Sequence, residues 1–113
     1  MDNLLTVAFE AHSTEKNHHR WYQVTLGRDL LDDWTVAIRY GRCGKGTQER
    51  RYASARAEEV QAIIRNRLRR RLSAPKRIGC AYRLAGFSVL PGFDAADWLP
   101  GEVMAKFFET LKD

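Results

Sequence analysis

The stretch IRYGRCGKGTQ, residues 38–48, sets Arg39, Arg42 and Lys45 around a tyrosine, Tyr40, with glycines at 41, 44 and 46. Arg50 and Arg51 follow closely. A guanidinium grips phosphate oxygens with two parallel N–H donors, and an ammonium acts as a point charge. A tyrosine ring stacks on a sugar or an exposed base. Glycine, as at Gly41, Gly44 and Gly46, lets the backbone turn tightly and approach another group closely. The chemistry these residue types suit is the binding of a polyanion: Arg39, Arg42, Lys45, Arg50 and Arg51 for phosphates, Tyr40 for a ring.

Catalytic and metal-binding groups do not assemble in the same way. A structural zinc site takes about four ligands, and Cys43, Cys80, His12, His18 and His19 show neither CxxC nor HxxxH spacing. No metal and no cofactor is expected, and the two cysteines read as free thiols. Cys43 is flanked by cations but has no histidine nearby in sequence to serve as its base, which an activated nucleophile needs. Asp32-Asp33 and Glu58-Glu59 are adjacent in sequence, so the members of each pair point apart. There is no GxxxxGK[ST] phosphate loop. The expectation is a protein that is not an enzyme.

Charge is distributed unevenly. Residues 39–83 hold 14 Lys or Arg against three acids, a balance of +11, while the remainder carries −6. Such a chain presents one strongly positive surface, which attracts polyanions and speeds their encounter. Arg far outnumbers Lys in this stretch, the choice that favours bidentate phosphate contacts. No run is long and apolar enough for a membrane helix, and the N-terminus lacks the pattern of a secretory signal. The expected location is the cytoplasm, with no membrane partner.

The elements that position these residues follow from periodicity. Residues 4–11 mix apolar and polar residues as a strand does. WYQVTL, 21–26, alternates with period two, putting Tyr22, Val24 and Leu26 on one face. WTVAIRY, 34–40, does the same with Trp34, Val36, Ile38 and Tyr40, and turns Arg39 to the other side. QERRY, 48–52, returns after the glycine loop and closes a hairpin. Ser54 reads as a helix N-cap. Ala57, Val60, Ile63, Ile64, Leu68 and Leu72 then form one apolar helical stripe, with Arg65 and Arg69 opposite and Arg71 projecting into it, so that it either ends the helix or snorkels out. Pro75 stops the helix. Residues 76–84 read as a last strand or extended segment, and 86–102 as a linker with apolar anchors at Phe87, Val89, Leu90, Phe93 and Trp98. Val103, Met104, Phe107, Phe108 and Leu111 suit a short C-terminal helix packed on the domain. The fold class is α+β: an antiparallel β-sheet with one main helix packed on a face, plus a short C-terminal helix. The division is a domain over 1–85 and an extension over 86–113.

An ordered set of segments resembles the WGR domain family. The signature of that family, Trp-Gly-Arg at a strand end before a glycine loop, stands here as Tyr40-Gly41-Arg42. Arg20-Trp21-Tyr22 is similar to the basic-aromatic start of the family's preceding strand, and LGRDLLDDWTV to its turn into the signature strand. Gln48 follows the loop, and KRIGCAY, 76–82, resembles the segment after the basic helix. The resemblance implies a compact antiparallel sheet with a helix, and nucleic-acid binding. In poly(ADP-ribose) polymerases such a domain contacts DNA near strand breaks, and in bacteria small proteins consist of little else. This chain is more like the latter, and no transferase activity carries over. The expected partner is DNA, with nicks or ends among its forms, and RNA stays open beside it. The alternative is a protein-interaction module docking to an acidic partner surface.

Overall fold

In the computed structural model the described residues are 3–13, 18–42, 44–72, 82–99, 101, 104 and 105. Five strands, β1 (Asn3–Ser13), β2 (His18–Arg28), β3 (Trp34–Arg42), β4 (Thr47–Ser54) and β5 (Arg83–Val89), form one sheet. Their order is β4-β3-β2-β1-β5, every pair antiparallel. One helix, α1 (Ala57–Leu72), packs on one face.

Parity decides that face. Leu5, Val7, Phe9 and Ala11 of β1, Tyr22, Val24 and Leu26 of β2, and Val36 and Ile38 of β3 are buried. They are the alternate residues of each strand, as a sheet covered on one side requires. Helix α1 answers with Val60, Ile64 and Leu68, one above another at four-residue spacing and all buried. Ala57 and Ile63 flank this stripe. Glu58 and Glu59 occupy the first turn and Arg69, Arg70 and Arg71 the last, each at the helix end whose dipole favours its charge.

Two expectations are corrected and one alternative is decided. Ser54 does not cap the helix directly: it ends β4, and its hydroxyl accepts from the Arg56 amide at 3.0 Å and donates to Glu59 Oε2 at 2.6 Å. The helix continues past Arg71 to Leu72, so of the two alternatives for Arg71 it is not the one that ends the helix. The segment read as a linker begins as strand β5, which pairs with β1 from Glu10 to Leu5. Within β5 only Leu84 is buried, so an edge strand with Gly86 at its centre leaves almost no apolar alternation to detect.

Beyond β5 the chain folds back on the core. Trp98 is 3% exposed and its ring lies 4.9 Å from that of Trp34, with Phe93 at 6.2 Å. Arg65 donates to the Asp97 carbonyl at 2.7 Å and anchors the return. Of the expected C-terminal helix, Met104 is buried in the core; Val103, Phe107, Phe108 and Leu111 lie outside the described residues, as do Cys43, Cys80 and Pro75. Among the described residues, no helix is long and apolar enough to cross a membrane, and no three His, Cys, Asp or Glu side chains gather as a metal site.

Candidate nucleic-acid interface

Between β3 and β4 the described loop residues are 44–46. The Lys45 amide donates to the Arg42 carbonyl at 3.0 Å, and Gly44 holds a φ of 80°, which glycine adopts without strain. Gly41 is required for another reason. A Cβ there would stand 2.6 Å from the Gly46 carbonyl oxygen, so only a residue without a side chain lets the loop fold back over the strand end. The same virtual atom would lie 3.5 Å from Trp21 Nε1, the cross-strand neighbour of Gly41 on β2.

Around this loop a cleft of about 620 Å³ opens at the end of the sheet. Tyr40, Gly41, Arg42 and Lys45 line one side of it, Arg20 and Trp21 another, and Arg71 and Tyr82 the third. Arg71 reaches here because α1 runs on to its last turn. Its guanidinium lies 4.0 Å above the Tyr22 ring and 5.5 Å from that of Tyr82, a cation–π seat that offsets its place on the apolar side of the helix. Arg20 Nε is buried and has no hydrogen-bond partner among the described residues. No carboxylate pairs with Arg20, Arg42 or Lys45 among the described residues.

Tyr40 serves both core and cleft. Its ring is half-buried and stacked on Tyr22 at 6.2 Å, and its phenol beside Arg50 raises the Arg50 guanidinium above its ordinary pKa. Arg50 lies one step along the same side, in a smaller cleft that Tyr40 also lines.

Arg39 and Arg51 lie elsewhere. Both point to the face of the sheet opposite α1, where they line a hollow with Gln23, Thr25 and Thr35. Arg39 Nε donates to Glu49 Oε1 at 2.7 Å and Arg51 Nε to Glu49 Oε2 at 3.1 Å. The Arg39 hydrogen bond, then that of Arg51, holds the Glu49 carboxyl below its usual range. The structure thus gathers Tyr40, Gly41, Arg42 and Lys45, sets Arg50 beside them, and separates Arg39 and Arg51. It adds Arg20, Trp21, Arg71 and Tyr82, which sequence reasoning did not assign to the site. Strand parity places Arg39, Glu49 and Arg51 on one face, so their separation was readable; the convergence of Arg20, Arg71 and Tyr82 had no local signal.

A family model described as WGR domain matches residues 5–74. No curated protein and no solved structure matches the chain.

Proposed function

The chain belongs to the WGR domain family, and we propose that it is a nucleic-acid-binding module that takes DNA in the cleft at the glycine-loop end. Arg42 and Lys45 from the loop, Arg20 from β2 and Arg71 from α1 neutralise phosphates. Tyr40, which is half-exposed, offers its ring to a sugar or to a base exposed at a nick or end. The observation that carries this reading is the convergence of cations from three separate elements on one cleft, among them Arg20, Arg42 and Lys45 with no carboxylate partner among the described residues. A cytoplasmic protein with this surface meets nucleic acid directly, and no catalytic step belongs to the reading.

The test is fluorescence anisotropy with intact duplex, nicked duplex, single-stranded DNA and the matching RNA at physiological salt. Binding at about micromolar protein or tighter is expected, with nicked DNA favoured over intact duplex. No change in anisotropy with any probe at that concentration overturns the reading. A second reading, a protein-interaction module, draws on the opposite end of the sheet. There Leu30 and Leu31 are 94% and 83% exposed on the turn between β2 and β3. The Asp29 carboxylate holds that turn by accepting from the Leu31 and Asp33 amides. Failure with every nucleic acid would favour this second reading.

A further inference from the structure

We propose that the smaller cleft between β4 and the C-terminal half of α1 is a second phosphate site, which holds a backbone phosphate of the same nucleic acid that enters the loop cleft. The proposal rests on the reading above and extends its contact surface onto the helix. The cleft, of about 190 Å³, is lined by Tyr22, Ile38, Tyr40, Arg50, Arg67, Arg70 and Arg71, with no carboxylate lining it among the described residues. It shares Tyr40 and Arg71 with the loop cleft, so the two adjoin.

Tyr22 is the informative group. It is 4% exposed, and its buried hydroxyl has no hydrogen-bond partner among the described residues. A buried donor without an acceptor costs stability, and folded proteins rarely keep one without a use. Burial raises the phenol pKa and outweighs the opposing charges of Arg71, Arg67 and Arg70. The hydroxyl therefore stays protonated at neutral pH and offers an O–H among guanidinium groups. A phosphate oxygen is the acceptor that satisfies both, since it takes hydrogen bonds from neutral and charged donors alike.

The arginines are already held in place. Arg67 Nη2 lies 3.2 Å from the Tyr52 hydroxyl, Arg50 lines the cleft beside Tyr40, and Arg71 is seated on the Tyr22 ring. Little side-chain freedom is left to lose on binding. The negative end of the α1 dipole eases the mutual repulsion of Arg70 and Arg71. Phosphate could reach the cleft as part of a nucleic acid or as a free ion, and the experiment separates these sources.

Tyr22→Phe removes one oxygen and leaves the ring beneath Arg71. Expected are an unliganded Tm equal to or above that of the wild type, DNA affinity weakened about three- to tenfold, and an unchanged salt slope, because no charge is lost. Arg70→Gln should instead flatten the slope by about one unit. Wild-type binding with undiminished affinity in Tyr22→Phe overturns this inference and leaves the proposed function standing. A lower Tm in Tyr22→Phe also overturns it, because the hydroxyl is then satisfied within the protein. If the wild type binds no nucleic acid, the functional reading fails, and inorganic phosphate becomes the probe. A rise in Tm with phosphate that Tyr22→Phe abolishes then supports a free-phosphate site, and equal behaviour of the two proteins removes the site altogether.

Discussion

At the turn between β2 and β3, charged groups find partners within the protein, although Arg28 Nε, like Arg20 Nε, is buried without a hydrogen-bond partner among the described residues. Arg28 pairs with Asp32 at 3.0 Å and lies 4.3 Å above the Trp34 ring, which itself packs against Trp98. One Asp29 oxygen accepts from two backbone amides. At the other end of the same two strands, Arg20, Arg42 and Lys45 have no acid beside them, and buried donors on Arg20 and Tyr22 lack acceptors among the described residues. One end matches its charge with an internal acid, and the other holds cations with none among the described residues. The difference teaches that positive charge in a sequence marks a binding surface only where the fold leaves it without an internal acid. Arg39 and Arg51 make the same point from the other side, because both are engaged by Glu49.

The largest effect expected separates folding from binding. Trp98→Ala empties a buried site against Trp34 and should destabilise the protein by about 3–5 kcal/mol. Affinity for DNA per folded molecule should stay unchanged, read from a thermal melt and a binding titration on the folded fraction. A matching loss of affinity would mean that the two ends are coupled. Next is Gly41→Ala. Its Cβ would meet the Gly46 carbonyl at 2.6 Å, so the loop must shift, at about 1–3 kcal/mol of stability. DNA binding should fall at least about tenfold, since the Arg42 and Lys45 positions are set by this loop.

A paired substitution then contrasts the two ends directly. Arg42→Gln should weaken binding to all sequences alike and flatten the plot of log affinity against log salt by about one unit. Arg28→Gln should lower the Tm slightly and leave that slope alone, because its charge is matched by Asp32. The smallest effect concerns Glu49. Its carboxyl is depressed by Arg39 and Arg51, so the group contributes stability above the ordinary carboxyl value of 4.5 and loses it as the pH falls through the lower folded value. The Tm difference between wild type and Glu49→Gln should therefore be present at neutral pH and close in acid. DNA affinity at neutral pH should change by less than about twofold, as expected of an exposed charge away from the bound polymer. A larger gain would bring the open sheet face into the interface.

Much of this architecture was readable from residue types. Alternation in residues 21–26 and 34–40 identifies β2 and β3 and assigns Tyr22, Val24, Leu26, Val36 and Ile38 to the core, where they are buried. The helical stripe of Val60, Ile64 and Leu68 is equally plain. Strand β5 was not, because an edge strand with one buried residue carries little pattern and its Gly and Pro neighbours resemble a linker. The loop half of the cleft was legible, since Tyr40, Gly41, Arg42 and Lys45 are neighbours in sequence. Its other half depends on where α1 and the chain after it lead, which brings Arg71 and Tyr82 beside Arg20 from distant positions. Charge counting also treats Arg39 and Arg42 alike, although strand parity sends them to different surroundings.

The central claim is that the loop-end cleft, and not the open sheet face, holds the phosphates. The most direct measurement is the salt dependence of DNA affinity for wild type, Arg42→Gln and Arg39→Gln on one nicked duplex. The account predicts a slope flattened by about one unit for Arg42→Gln and a wild-type slope for Arg39→Gln. A flattened slope for Arg39→Gln beside an unchanged one for Arg42→Gln would contradict it.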